Sequence, residues 1–92
     1  MKIIRADAFK RDYQRLPAHI QRRAEKALKF LVADFRHPSL RTKKMSGVHD
    51  PVGRDLFEAR VTNAYRIIFT IVGETYLLYR IGPHDVLEKP FG

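Results

Sequence analysis

The chain has 92 residues, of which 45% are hydrophobic, and its formal net charge at neutral pH is +8. This length predicts a single domain over residues 1–92, and the absence of Cys excludes disulfides, thiol catalysis and cysteine-bound zinc. No segment has the length and apolarity of a signal peptide or a membrane span, so we expect a cytoplasmic protein with no membrane partner. The surplus of positive charge indicates an anionic partner, which by charge alone can be nucleic acid, an acidic protein or a membrane surface.

The first third of the chain predicts a strand followed by a helical hairpin. Lys2-Ile-Ile-Arg5 is a short apolar stretch suited to a first strand, and Asp7 has the side chain of a helix N-cap. Pro17 interrupts the helical pattern and suits the first turn of a second helix. That second helix has one apolar stripe at helical spacing, formed by Ile20, Ala24, Ala27, Leu28, Leu31 and Phe35.

A basic loop is predicted after the hairpin. The helix ends at His37-Pro38, because the residue before a proline disfavours helical backbone. Residues 39–54 contain two Gly and one further Pro, so they predict mostly loop, with a short strand near residues 43–45. Between positions 36 and 54 the cations outnumber the acids five to one, which concentrates the positive charge in this segment.

The last third of the chain predicts three strands, at residues 56–62, 65–72 and 76–81, joined by tight turns that force antiparallel pairing. Alternation of side chains assigns one set to the core face, namely Phe57, Ile67, Phe69 and Leu77. The opposite face has Glu58, Arg60, Arg66 and Arg80. The predicted architecture is therefore α+β, with an N-terminal helical hairpin packed on a twisted antiparallel β-sheet.

Three arginines on this second face form the first candidate site. The guanidinium groups of Arg60, Arg66 and Arg80 match the geometry of phosphate and stay charged at any working pH. Together they can hold successive phosphates of RNA or stabilise the charge of a phosphoryl transition state. The alternative is cross-strand pairing with acids such as Glu58, although too few acids share the face to pair with all three arginines.

His84 is the second candidate, because Gly82-Pro83 ends the last strand and exposes the imidazole at the rim of the sheet. A neutral imidazole can accept or donate a proton near neutral pH. The alternative is an ordinary loop histidine that hydrogen-bonds the turn. The four histidines lack the spacing of metal ligands, so we expect no metal site.

Other residues are candidates for binding nucleic acid. Arg41, Lys43 and Lys44 precede the first long strand and can add phosphate affinity that weakens with salt. The alternative for this cluster is a solvated charge run. Among the tyrosines, Tyr76 is expected to be exposed for base stacking, whereas the others in the strands lie on the predicted core face.

The order of strand, helical hairpin, basic loop and three-strand meander resembles the RelE/ParE superfamily of toxins from type II toxin–antitoxin systems. The likeness covers nearly the whole chain, and the order and spacing of its parts carry it. The stretches concerned are His37-Pro-Ser-Leu-Arg-Thr-Lys-Lys-Met-Ser-Gly47, Phe57-Glu-Ala-Arg-Val-Thr62, Tyr65-Arg-Ile-Ile-Phe69 and Ile81-Gly-Pro-His-Asp85.

This resemblance implies a RelE-type, ribosome-dependent endoribonuclease that inhibits translation by cleaving messenger RNA through metal-independent attack of the 2′-hydroxyl. It also implies contact with the ribosome and its 16S ribosomal RNA, no cofactor, and neutralisation by a cognate antitoxin in an oligomeric complex. Matching the family motifs assigns Lys44, Arg60, Arg66 and His84 to the catalytic set, with Arg66 contacting phosphate and His84 transferring protons.

Two other functions stay open. The ParE branch shares the fold but inhibits DNA gyrase by protein contact, and a catalytically inactive domain of this fold would bind RNA without cutting it. Placement of Arg60, Arg66 and His84 on one face favours the nuclease, and their dispersal favours the other two functions.

Overall fold

The computed structural model describes residues 2–91. The helices are α1 (Asp7–Gln14), α2 (Ala18–Ala33) and α3 (His84–Glu88), with a short 3-10 helix at Pro38–Leu40. The strands are β1 (Lys2–Arg5), β2 (Lys43–His49), β3 (Asp55–Arg60), β4 (Arg66–Val72) and β5 (Thr75–Gly82). Across the described residues, none of the helices has the length and hydropathy that crossing a bilayer demands.

The sheet confirms the α+β class and corrects one pairing. Its strand order is β1-β5-β4-β3-β2, and β2, β3, β4 and β5 are joined by antiparallel pairs. β1 instead runs parallel to β5, with Lys2 opposite Thr75 and Arg5 opposite Leu78, so the sheet is mixed rather than wholly antiparallel. Parallel strands need a long connection, and here most of the chain lies between β1 and β5, so no short turn constrains the direction of β1.

The predicted apolar stripe of α2 is confirmed as the helical side of the core except at Phe35, because the helix ends at Ala33 and not at His37-Pro38. Its residues pack in one cluster with Phe9 of α1 and with Ala59, Ile67 and Phe69 of the sheet. Burying one large apolar side chain of this kind contributes about 1.5–3 kcal/mol. The stripe members buried within the helix are Ile20, Ala24, Ala27, Leu28 and Leu31.

An irregularity in β5 overturns the prediction for Tyr76. Ile68 of β4 faces Arg80, but the next residue, Phe69, faces Leu78, so Tyr79 is an extra residue in β5. An extra residue of this kind reverses the alternation of side chains on the strand before it. Tyr76 is therefore 2% exposed in the core, with its ring 5.7 Å from that of Phe69. Its burial rules out stacking on bases, and Leu77, expected in the core, is only partly buried.

Two element boundaries also differ from expectation. The strand expected near residues 43–45 extends over Lys43–His49, with Gly47 at a φ of 73°, a conformation that glycine adopts without strain. Asp7 does not cap α1, because Ala6 occupies the N-cap position and no side chain caps that end. Asp7 lies instead in the first turn, where its negative charge interacts favourably with the positive end of the helix dipole.

A buried carboxylate fastens the turn between β2 and β3 to the sheet. Asp50 accepts hydrogen bonds from the Arg54 backbone N–H at 2.7 Å, the Val52 N–H at 3.0 Å and the Tyr79 hydroxyl at 2.8 Å. The Arg54 Nε–H donates to the same carboxylate at 2.7 Å. Burial opposes ionisation of Asp50, but these hydrogen bonds outweigh it and lower its pKa. The hairpin that carries Lys43 is thereby tied to β5.

We expect Asp50→Asn to lower the free energy of unfolding by about 1–3 kcal/mol near neutral pH, because it weakens a buried hydrogen-bond network. The folded-state pKa of Asp50 lies below its value of about 3.9 in the unfolded chain, so the ionised group stabilises the fold above that pH. This stabilisation is lost as the pH falls through the lowered pKa. The stability difference between wild type and variant should therefore shrink in acid.

Urea unfolding followed by circular dichroism at several pH values measures this difference. Glu74→Gln, at an exposed acid in the β4–β5 turn, is the matched control and should leave stability nearly unchanged. A deficit of the Asp50 variant that stays constant across the acid range would contradict the assignment.

Candidate functional site

A cleft of about 830 Å³ lies between β2, the β3–β4 turn and α3. We call it the cleft. Its lining combines cations, two acids, an imidazole and apolar side chains. The residues are Lys43, Lys44, Met45, Ser46, Val48, Glu58, Asn63, Ala64, Arg66, Pro83, His84, Leu87 and Glu88.

Four of the predicted site residues line this cleft together. Lys43 and Lys44 begin β2, Arg66 begins β4, and His84 begins α3. They come from three separate elements. Antiparallel pairing puts the starts of β2 and β4 at the same end of the sheet as the end of β5, which leads into α3. The cleft therefore offers cations and a titratable group to the same ligand.

The guanidinium of Arg66 is held in place by the backbone. Its Nη1 donates to the carbonyl oxygens of Thr62, of Asn63 at 3.3 Å and of Tyr65 at 3.1 Å. These carbonyls belong to the turn between β3 and β4, so Arg66 is fixed before any ligand arrives. A fixed guanidinium loses little side-chain freedom when it binds an anion.

Glu58 is an acid that lines the cleft, where the sequence predicted only a pairing partner for the arginines. Its side chain is 15% exposed, and Oε1 lies 3.8 Å from the Lys43 ammonium and 3.9 Å from Arg66 Nε. Both separations exceed hydrogen-bonding distance, so these are weak Coulombic contacts. The sequence signal for its place in the site is the spacing of two residues between Glu58 and Arg60, which puts both side chains on the same face of β3.

His84 is freely accessible at the start of α3. Its side chain is 81% exposed, and Nε2 lies 3.5 Å from Glu88 Oε1 one turn later. The short helix packs closely on the end of β5, because a Cβ added at Gly82 would meet Val86 Cγ2 at 2.6 Å. Gly82 therefore lets α3 approach the sheet and bring His84 to the cleft.

The two lysines of the cleft are only loosely paired. Lys44 Nζ lies 3.6 Å from Asp55, and the Lys43 and Lys44 side chains are 71% and 62% exposed. Exposed pairs of this kind contribute between zero and about 1 kcal/mol. An anionic ligand can therefore take these ammonium groups from their present partners at little cost.

Arg80 does not belong to the cleft, which corrects its predicted role in RNA binding. Nε and Nη2 donate to the two carboxylate oxygens of Asp12 at 2.7 and 3.0 Å, and Nη1 donates to the Pro90 carbonyl at 3.0 Å. The hydrogen bonds to Asp12 raise the pKa of Arg80. This arginine joins α1 and the C-terminal segment to β5. Its three guanidinium nitrogens already donate to protein groups, so it does not offer a pair of free donors to phosphate.

Arg60 and Arg41 also lie outside the cleft, so of the three residues expected together, Arg60, Arg66 and His84, only the last two share it. Arg60 Nη2 donates to the Asn63 side chain, and both arginines line a second depression beside α2. Within residues 2–91, no three His, Asp or Glu side chains converge in a way that would hold a metal ion.

The sequence of residues 3–87 matches a family model described as ParE toxin of type II toxin–antitoxin system, parDE. Comparison with curated proteins gives no match. The predicted resemblance to the RelE/ParE superfamily is thus confirmed by a model that spans most of the chain.

Solved structures of similar fold include toxins and antitoxin–toxin complexes. A chain of the RelB–RelE antitoxin–toxin complex from Methanococcus jannaschii is 21% identical with a TM-score of 0.72, over 97% of this chain and 99% of that one. The YoeB/ParE toxin from Agrobacterium tumefaciens is 15% identical with a TM-score of 0.74, over 91% and 99%. A chain of the intact E. coli RelBE toxin–antitoxin complex is 12% identical with a TM-score of 0.68, over 90% and 95%. At these identities the likeness establishes the fold alone.

The position of Glu58 between two cations generates a prediction about anion binding. Glu58→Gln keeps the size of the side chain and removes a charge that repels phosphate. We expect a short 2′-O-methyl oligouridylate to bind the variant roughly 5-fold more tightly. This corresponds to removing a repulsion of about 1 kcal/mol, the energy of two like unit charges about 4 Å apart in water. Fluorescence anisotropy at low salt measures the affinity, with Glu74→Gln as the charge-matched control. Weaker binding by the variant would show instead that Glu58 holds Lys43 and Arg66 in their binding positions.

Proposed function

The chain belongs to the ParE toxin family of type II toxin–antitoxin systems, since that family's model matches residues 3–87. We propose, from the residues of its cleft, that it is a ribosome-dependent endoribonuclease. The observation that carries the proposal is the cleft, where Arg66, Lys43 and His84 line one surface. A fixed guanidinium, further cations and an imidazole are the groups that cleavage of a phosphodiester uses.

In the proposed reaction, the messenger RNA supplies its own nucleophile. The 2′-oxygen attacks the adjacent phosphorus while its proton passes to solvent, and the bond from phosphorus to the 5′-oxygen breaks. A 2′,3′-cyclic phosphate and a 5′-hydroxyl result. Protonated His84 donates the proton that the departing 5′-oxygen gains, and the exposure of its imidazole allows it to be protonated again from solvent.

The cations of the cleft stabilise the charge that develops on the phosphorane. Arg66 binds the non-bridging oxygens, because the β3–β4 turn already orients its guanidinium. Lys43 and Lys44, which are largely exposed, add charge at the rim and hold messenger or 16S ribosomal RNA. Arg60 lies opposite Arg66 on β3 but outside the cleft, so it does not contact the reacting phosphate in this proposal.

The name of the matched family favours a second candidate function, inhibition of DNA gyrase by protein contact. The two candidates differ in what a cell shows when the chain is expressed alone. Ribosome-dependent cleavage produces new 5′ ends in translated messages, in frame with the codons. Gyrase inhibition produces loss of supercoiling and growth arrest without such ends.

We expect His84→Ala to reduce cleavage of translated message by about 10²–10⁴-fold, the usual contribution of general acid–base catalysis. The imidazole is exposed, so the variant should fold with an unchanged melting temperature. The measurement is primer extension on a defined message in a purified translation system.

His19→Ala is the matched control, because His19 is an exposed histidine of α2 that does not line the cleft. It should cleave at the wild-type rate. Cleavage by His84→Ala at that same rate would remove His84 from the mechanism. Absence of cleavage by the wild type, together with inhibited supercoiling, would favour the gyrase candidate.

We also propose that a cognate antitoxin binds this chain and that the complex is oligomeric. The similar structures from M. jannaschii and E. coli are antitoxin–toxin complexes, and the net charge of +8 suits an acidic partner segment. We expect the product of the neighbouring gene to raise the melting temperature, because at 100 times its Kd a ligand of the folded state adds about 2.7 kcal/mol.

Differential scanning fluorimetry measures this stabilisation. An unrelated acidic protein of similar size is the control and should have little effect. If the neighbouring product at saturating concentration leaves the melting temperature unchanged, that product is not the antitoxin.

A further inference from the structure

We infer that the chain has a second contact for nucleic acid, a cationic groove that binds the phosphate backbone of single-stranded RNA. The groove has a volume of about 450 Å³ and lies between α2, the 3-10 helix and the end of β3. We call it the groove. Its lining includes the apolar side chains of Ala27 and Phe30 and four cations, namely Arg23, Lys26, Arg41 and Arg60.

The charge of the groove is not neutralised. Of the described residues, no Asp or Glu lines it, and none of its four cations forms an ion pair within residues 2–91. Arg54 and Arg80, in contrast, are each joined to a carboxylate at 2.7 Å. Concentrated and unpaired positive charge in a concave surface attracts a polyanion.

The groove is built by packing rather than by chance proximity. Arg23, Lys26 and Phe30 follow one another at spacings of three and four residues and so share one face of α2. The ring of Phe30 stacks on His37 with centroids 4.0 Å apart, and Thr42 Oγ1 donates to the Phe35 carbonyl at 2.6 Å. These contacts hold the segment after α2 against the helix and keep the groove open before a ligand binds.

The backbone is strained at one of the groove's cations. Arg41 has a φ of 45°, and it is the one non-glycine residue with positive φ in the described chain. This conformation costs roughly 1–2 kcal/mol for a residue with a side chain. Such strain is concentrated at functional sites, and here it coincides with an arginine that lines the groove.

Continuity with the cleft identifies the ligand as a nucleic-acid strand. Arg60 of the groove lies directly opposite Arg66 of the cleft in the β3–β4 register, and opposed residues of antiparallel strands are about 4.5–5.5 Å apart at Cα. A strand whose scissile phosphate sits on Arg66 thus continues over Arg60 into the groove. This direction rests on the proposed nuclease function. An acidic peptide could match the charge, but it has no reason to continue from the cleft.

The test compares a tetranucleotide and a dodecanucleotide, both 2′-O-methyl oligouridylates that cannot be cleaved. Anisotropy over a range of salt concentrations gives the affinity of each. We expect Arg23→Gln combined with Lys26→Gln to weaken dodecanucleotide binding by about tenfold and to reduce its salt slope by about 1.4, the value for two phosphate contacts on a single strand. Tetranucleotide binding should be unchanged.

Arg22→Gln combined with Lys29→Gln is the matched control, because it removes the same charge from exposed positions of α2 that do not line the groove. It should leave both affinities near wild type. The proposal would be overturned if the two double variants had equal effects on binding, or if both oligonucleotides lost affinity equally. Either result would show that binding depends on the total charge of the protein and not on the groove. Stronger binding of oligoglutamate than of the dodecanucleotide would identify an acidic-peptide site instead. Because the oligonucleotides are not cleaved, failure here is distinct from failure of the nuclease proposal.

Discussion

The register of β4 between its two neighbours determines where the candidate functional groups lie. At one end of the sheet, Arg66 faces Arg60 on β3 and Gly82 on β5. Like charges directly opposed in a sheet are destabilising, and here Arg60 is bonded to Asn63 while Arg66 donates to carbonyls of the β3–β4 turn. One row of paired residues thus supplies an arginine to the cleft, an arginine to the groove and the glycine on which α3 packs.

The parts of the fold that could be predicted from the sequence depend on residues close to one another along the chain. The stripe of α2 repeats within a few residues, and β3 and β4 pair without a register shift, so the sheet face that packs on α2 followed directly from pattern. Pattern did not predict that Leu56 and Ile68 on the opposite face are buried in a second cluster with Val86. The same alternation assigned Arg66 to the polar face, and Gly82-Pro83 marked the end of β5 just before His84. Arg66, His84 and the two lysines at the start of β2 do line one cleft. Their chemical roles stay predictions.

The errors arose where distant parts of the chain interact. The extra residue at Tyr79 depends on how β5 pairs with β4, and it moves Tyr76 from the polar face into the core. Arg80 had the right alternation for the polar face, but its guanidinium is bonded to Asp12, 68 residues earlier in the chain. No periodicity within a strand reports a partner at that separation. The parallel pairing of β1 was missed for the same reason.

The positive charge of the chain therefore divides into two classes that composition cannot separate. Arg80 is hydrogen-bonded to Asp12, 68 residues earlier in the chain. Arg54 is hydrogen-bonded to Asp50 within the β2–β3 turn, and the same carboxylate accepts from Tyr79 of β5, so both cations stabilise the fold. The cations of the groove and the lysines of the cleft are exposed or loosely paired, and the core does not depend on them. Substitution in the first class should lower stability. Substitution in the second class should change anion binding while the protein stays folded, which makes binding a direct readout of function in this fold.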